Sequence, residues 1–231
     1  MKTIGLIGGM SWESTAIYYR LINEAVRERL GGLHSAKLLV FSFDFDVIAA
    51  LQTAGDWAGA SVLLAEAARK LEGAGAEALV LCTNTMHKLA GDIESAVGVP
   101  LIHIADATAG AMKADGVSSP ILLATRFTME QEFYKGRLAD RHGIEAAVPD
   151  AVGRDVVHRI IYEELVRGVV RPESKAAYLA EVARMRERAP ADGLIMGCTE
   201  ITMLIGAGDF DIPVFDTTAI HAQAAVDFML A

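Results

Sequence analysis

The sequence has little of what usually announces a site. Two cysteines, Cys82 and Cys198, occur among its 231 residues. They form no C-x-x-C pair and have no histidine-rich partner pattern, so no metal site is expected. In a reducing compartment both would be free thiols. Basic residues are outnumbered, 21 Lys and Arg against 30 Asp and Glu, for a net charge of −9. With no basic run to meet phosphates, a nucleic-acid partner is excluded. Long apolar runs are missing too. The run Ile4-Gly5-Leu6-Ile7 behind Met1-Lys2-Thr3 is too short for a signal peptide or a membrane span. A soluble cytoplasmic protein with no membrane partner is expected. Aromatics make up only 6% although 52% of the chain is apolar. With glycine and alanine plentiful, that balance favours helices packed closely on a sheet around a substantial core.

Short apolar runs alternate with segments of helical period. Strands are predicted at Thr3–Ile7, Lys37–Phe43, Ala78–Leu81 and Leu101–Ile104, and helices at Trp12–Leu30, Trp57–Gly73 and Met86–Ala96. The cycle then restarts with strands Ile121–Ala124, Ile144–Val148, Leu194–Met196 and Pro213–Phe215. Helices are predicted around Met129–Arg141, at Val156–Val166 and Glu173–Arg188, in a short stretch after Met196, and up to Leu230. Continuously apolar strands joined by helices predict an α/β fold with parallel sheets covered on both faces. The two halves also match residue by residue. Ile4–Ile7 runs parallel to Ile121–Ala124, Ala76–Leu81 to Ala191–Met196, and Pro100–Ile102 with Asp106 to Pro213–Phe215 with Asp216. We therefore expect two pseudo-symmetric Rossmann-like domains, residues 1–105 plus 215–231 and residues 106–214. Ligands of such sheets bind beyond the carboxyl ends of the strands, which puts the site in a cleft between the domains.

Three strand ends carry unusual polar residues. Gly8-Gly9-Met10-Ser11-Trp12-Glu13-Ser14 is a glycine turn entering a helix, with Ser11 as the N-cap and backbone N–H groups suited to an anion. It is not G-x-G-x-x-G, so a dinucleotide loop is not indicated. The second and third are Cys82-Thr83-Asn84-Thr85-Met86-His87 and Met196-Gly197-Cys198-Thr199-Glu200. Their equivalent places in the repeat suggest a pair of reactive groups facing each other.

Taken in order, Gly8–Thr15, Cys82–Lys88 and Gly197–Ile201 resemble the signatures of the aspartate/glutamate racemase superfamily. The likeness extends over nearly the whole chain, including His103–Thr108 and Phe215–His221. It is nearest to a bacterial branch described as L-aspartate/glutamate-specific or of broad specificity. The resemblance implies an isomerase without pyridoxal phosphate or other cofactor, an amino-acid substrate and a homodimer. In that family two cysteines flank the α-carbon, one removing a proton as thiolate and the other supplying one. A thiolate is a soft, little-hydrated base, and donors aimed at the substrate carboxylate stabilise the developing enediolate.

This chain departs from the usual Cys-Asn-Thr by reading Cys82-Thr83-Asn84-Thr85. Matching on Asn-Thr puts Thr83 at the catalytic position. The ungapped repeat agrees, setting Cys82 opposite Gly197 and Thr83 opposite Cys198. A one-residue slip would turn Cys82 to the other sheet face. Thr83 and Cys198 are thus the expected pair, with Cys82 as the alternative catalytic group. The expected substrate-binding residues are Met10, Ser11, Gln52, Asn84, Thr85, Thr125, Thr199 and Glu200. Where glutamate racemases carry Asp and His, this chain has Ser11 and Glu200. Glu200 would orient or deprotonate Cys198, bind the substrate ammonium, or merely cap a helix. His87, His103 and His221 are read as hydrogen-bonded structural residues, with proton relay as the minor reading, and Asp106 and Asp216 as helix caps. The arginine that some aspartate racemases place after the second strand is missing from Ser42–Val47, and Arg126 and Arg167 are the remaining cations to consider. The rival readings are a cofactor-free decarboxylase or isomerase using Cys198 alone, and a non-catalytic ligand-binding Rossmann-like protein.

Overall fold

The computed structural model describes residues 1–231, and the chain divides into two compact units, Met1–Ile104 with His221–Ala231, and Ala105–Ile220. The crossover back to the first unit falls at His221, later than the Phe215 expected, because the last strand stays with the second sheet. No helix is long and apolar enough to cross a membrane.

The first unit is built on a four-stranded parallel sheet of order β2-β1-β3-β4, from β1 (Ile4–Gly8), β2 (Leu38–Ser42), β3 (Ala78–Leu81) and β4 (Leu101–Ile102). β1 and β3 are buried along their whole length, as central strands covered on both faces must be. Between the strands come α1 (Trp12–Leu30), α2 (Phe45–Ala54), α3 (Trp57–Gly73) and α4 (Ala90–Ala96). One sheet face packs Ile7, Leu79 and Leu81 against Leu64, Ala67, Ala68 and Leu71 of α3 and Ile93 of α4. The other packs Ile4, Leu6, Ala78 and Val80 against Tyr18, Ile22 and Val26 of α1 and Ala222, Ala225, Val226 and Met229 near the C-terminus. Each leucine, isoleucine, valine or methionine among these contributes about 1.5–3 kcal/mol on full burial.

Four expectations shift here. α2 was not anticipated, β4 ends at Ile102, and Ile104 opens a helix, α5 (Ile104–Ala114). The predicted helix from Met86 begins instead as a 3₁₀ turn, Thr85–Leu89, before α4.

The second unit holds a three-stranded parallel sheet of order β5-β6-β7, from β5 (Pro120–Ala124), β6 (Gly193–Gly197) and β7 (Val214–Asp216). Its helices are α6 (Arg126–Glu130), α7 (Glu132–His142), α8 (Ala151–Glu163), α9 (Pro172–Arg188) and the start of α10 (Thr217–Leu230). The predicted strand Ile144–Val148 is reduced to a single bridge between Ala147 and Ile121. Glu145 and Ala147 donate to Ser118 and Pro120, but Pro149 has no N–H to carry the ladder on. The helix expected around Met129–Arg141 is broken at Gln131 into α6 and α7.

The strand pairings refine the internal repeat. Ile4 pairs with Ala78 and Pro120 with Gly193. Laying the two five-residue strands β1 and β5 end to end equates Ile4 with Pro120, one residue earlier than the sequence match to Ile121. That correspondence agrees with Ala76–Leu81 against Ala191–Met196 and sets Gly9 opposite Thr125 and Thr83 opposite Cys198. Keeping Ile4 against Ile121 would equate the two cysteines, so their surroundings must decide.

Candidate active site

In the first unit the glycine turn closes tightly on β2. Gly9 has φ 75°, and a Cβ there would lie 2.3 Å from the backbone nitrogen of Phe43. Phe43 N–H donates to the Gly8 carbonyl at 3.0 Å. Ser11 caps α1 by accepting from the Ser14 N–H at 3.3 Å, as expected. The Gly9 N–H is taken by Thr15 Oγ1 at 2.8 Å, so this donor serves the turn itself. Met10 is buried, and the Met10–Ser11 peptide is cis. Ser14 Oγ donates to the Cys82 carbonyl at 3.3 Å, which ties the turn to the second polar strand end. Gln52 is buried on α2, its amide donating to the Met86 thioether at 2.9 Å.

Beyond β3, side-chain alternation separates Cys82 from Thr83. Cys82 continues the face of Ala78 and Val80, fully enclosed among Tyr18, Ile22 and Ala225. Its thiol turns back to the Val80 carbonyl at 3.9 Å, and burial pushes its pKa far up. Thr83 has the opposite parity and is partly exposed. Its carbonyl accepts from His87 Nδ1 at 2.7 Å, and His87 Nε2 accepts from the Ile104 N–H at 3.2 Å. Asn84 and Thr85 are buried at the entry to the 3₁₀ turn.

The His87 ring lies edge-on to His103 and His221, with centroids 4.5 and 5.6 Å apart. His221 Nε2 donates to the Ile102 carbonyl at 2.6 Å while Nδ1 accepts from the Tyr18 hydroxyl at 2.8 Å. Both nitrogens of His87 and of His221 are therefore engaged by the protein, as structural histidines require. Burial lowers the His221 pKa to about 4. Because the folded state holds the neutral ring, stability is full above the ordinary histidine value of about 6.5 and falls as pH drops toward 4. Urea unfolding at pH 5 should show a loss of about 2 kcal/mol relative to pH 7 that His221→Gln does not share.

In the second unit Cys198 follows β6 in an extended conformation, partly exposed, with its thiol donating to Glu200 Oε2 at 2.9 Å. Burial, and then the Glu200 charge, raise the thiol pKa well above its ordinary value. The resting pair is therefore a thiol held against a carboxylate. Thr199 is buried, its hydroxyl 3.0 Å from that of Thr218. The 3₁₀ turn Thr199–Met203 packs against a second one, Leu165–Arg167.

Thr125 is buried at the end of β5, its hydroxyl 3.3 Å from that of Thr128. Arg126 pairs with Asp155 at 2.7 Å rather than projecting alone. Its N–H donates to His158 Nδ1 at 3.2 Å, a contact that no sequence signal indicated. Asp216 does cap α10, accepting from Thr218 and Ala219 N–H at 2.9 and 3.2 Å. Asp106 accepts both arms of Arg137 at 2.7 and 2.6 Å and lies 2.8 Å from His142 Nε2. These contacts make Asp106 an ion-pair centre within the second unit.

The profile of the Asp/Glu/hydantoin racemase family matches residues 7–225. The chain belongs to that family. A Yersinia pestis protein, provisionally named an Asp/Glu racemase, has a crystal structure 55% identical in sequence that superposes with a TM-score of 0.95 over 100% of both chains. An aspartate racemase homologue from Pyrococcus horikoshii OT3 is 34% identical, with a TM-score of 0.88 and 100% of both chains covered. Among curated proteins, the broad specificity amino-acid racemase of Bacillus subtilis (strain 168) is 20% identical over 99% of this chain and 98% of its own length. Against this family background the two cysteines are strongly unequal. Cys82 lies within a hydrophobic cluster, and Cys198 has a proton acceptor at 2.9 Å.

Proposed function

We propose that the protein racemises amino acids without a cofactor, by α-proton transfer in which Cys198 takes the proton of an L-substrate and Thr83 protonates the opposite face. The observation that carries this reading is the Cys198–Glu200 contact at 2.9 Å, set against the enclosure of Cys82. Glu200 accepts the thiol proton, and the thiolate then removes the α-proton. The electron pair moves into the substrate carboxylate as an enediolate. Asn84, Thr85, Thr125 and Thr199, with Met10 and Ser11 of the glycine turn and Gln52 of α2, are the proposed binding groups. The enediolate collapses as Thr83 Oγ delivers its proton; the threonine oxygen then takes a proton from solvent and Glu200 releases the one it holds, so both residues are restored. The proposed working form is a cytoplasmic homodimer.

The test is proton NMR of L-glutamate, L-aspartate and L-homoserine in deuterated buffer. Loss of the α-proton signal with at least one of them is expected; retention with all three would return the reading to a decarboxylase or a binding protein.

For acidic substrates we assign the distal carboxylate to Arg167. It is exposed, enters no ion pair, and lies in the turn packed on Thr199–Met203, whereas Arg126, Arg159 and Arg171 are all paired. A charge-assisted contact of this kind contributes roughly 1.5–3 kcal/mol. Arg167→Ala should therefore raise KM for L-glutamate about tenfold or more while leaving L-homoserine unaffected. An equal rise for both would remove Arg167 from the specificity role.

A further inference from the structure

One face of α8 links the two polar strand ends of the second unit. Asp155, His158 and Tyr162 follow one another at helical spacing. Asp155 takes the Arg126 guanidinium at 2.7 Å, and His158 Nδ1 takes the Arg126 backbone N–H at 3.2 Å. The Phe127 ring meets His158 edge-on at 6.4 Å, and Tyr162 lies tilted against its other side at 4.5 Å. One turn earlier Arg154 pairs with Glu130, so α8 grips α6 at both ends. Burial, and then the proximity of Cys198 and Glu200, push the Tyr162 hydroxyl up to about 12.

We propose that His158 is a positioning residue, which fixes the Thr125–Arg126 turn for substrate through an acceptor nitrogen and releases it when that nitrogen is protonated. The assignment rests on the proposed function in taking Thr125 as a substrate-binding residue. It goes beyond that function in giving the site an acid-sensitive support that never touches the substrate.

An Nδ1 that accepts from a backbone N–H must be unprotonated, so the ring carries its hydrogen on Nε2. The groups facing it are Arg126 and Glu130 of α6 and Asp155 and Tyr162 of α8. Burial first, and the Arg126 charge second, lower the His158 pKa, while Asp155 and Glu130 act the other way. The acceptor is therefore present at neutral pH, and it is lost as pH falls below the ordinary histidine value of about 6.5. Protonation turns Nδ1 into a donor facing a donor, and the start of α6 loses its tie.

The experiment combines kinetics with a readout that needs no turnover. KM and kcat for L-homoserine, whose side chain does not titrate, are measured from pH 5 to 7.5 for wild type, His158→Asn and His158→Leu. Amide hydrogen exchange at Arg126, expressed relative to the intrinsic rate at each pH, is followed over the same range. Asparagine puts an acceptor oxygen where Nδ1 stands but cannot titrate. Wild-type KM should rise about fivefold or more toward pH 5 with kcat changing much less, and Arg126 exchange should accelerate in parallel. His158→Asn should keep KM near the neutral wild-type value at every pH, and His158→Leu should show the raised KM and fast exchange throughout. An exchange rate for Arg126 that ignores both pH and the leucine substitution would overturn the proposal, as would an asparagine variant as impaired as the leucine one. If no amino acid is turned over, the racemase reading fails separately, and Arg126 exchange still decides whether His158 holds the turn.

Discussion

Cys198→Ala is expected to lower the rate of α-proton exchange from an L-amino acid by about 10³-fold or more, the scale of losing a positioned general base and nucleophilic thiolate. Thr83→Ala should cost roughly 10²-fold, since water can substitute in part for a hydroxyl that only donates. Cys82→Ala should leave the rate within about threefold of wild type and show its effect in stability, near 1 kcal/mol, from the small cavity left beneath α1. The asymmetry of the pair makes a further outcome sharp. A threonine hydroxyl is a poor base near neutral pH, so exchange from a D-enantiomer, which asks Thr83 to remove the proton, should be slow. Thr83→Cys should raise the D-direction rate while the L-direction rate changes little. If exchange instead depends on Cys82 and survives loss of Thr83, the correspondence of Thr83 with Cys198 is wrong.

Gly9→Ala is expected to be the most damaging single-methyl change in the glycine turn. The residue sits at φ 75°, and the added Cβ would meet the Phe43 nitrogen and carbonyl oxygen at 2.3 and 2.4 Å. Both contacts are backbone held in place by β2, so neither atom can rotate away. Left-handed geometry alone costs a non-glycine residue about 1–2 kcal/mol, and the displacement of β2 adds to that. We expect a total near 4 kcal/mol, about a 10 °C fall in Tm for a chain of this size. Gly143→Ala is the control, a left-handed residue at φ 68° and ψ 29° with nothing within 4 Å of its added Cβ. It should cost only about 1 kcal/mol. Equal losses at the two positions in urea melts would show that the contact with Phe43 carries no weight.

Much of the fold is legible because central parallel strands must be apolar on both faces. Ile4–Ile7, Ala78–Leu81 and Leu194–Met196 have no other reading, and Ser11 before Trp12 marks a helix start that the structure reproduces. Elements that rest on a few polar atoms are harder to see. The segment Phe45–Ala54 after Ser42-Phe43-Asp44 has no element assigned to it by pattern, yet Asp44 accepts from the Asp46 N–H and starts α2. Ile144–Val148 has the composition of a strand, but composition does not show that the ladder stops before Pro149. At the candidate site the motifs disclose which residues gather at the strand ends, and the period of two indicates which face Cys82 takes. Partners remote in sequence are not legible: Arg126 and His158 lie on separate helices, and no local pattern couples them.

The return of the chain at His221 has a consequence for the order of assembly. Ala222, Ala225, Val226 and Met229, which complete one face of the first sheet, are made only after the entire second unit. The first unit is thus begun before the second and finished after it. Through that interval Ile4, Leu6, Ala78, Val80 and Cys82 have α1 over them but lack their other cover, leaving a partly bare apolar surface on a nascent chain. The second unit has no such debt and can close on its own residues as it emerges.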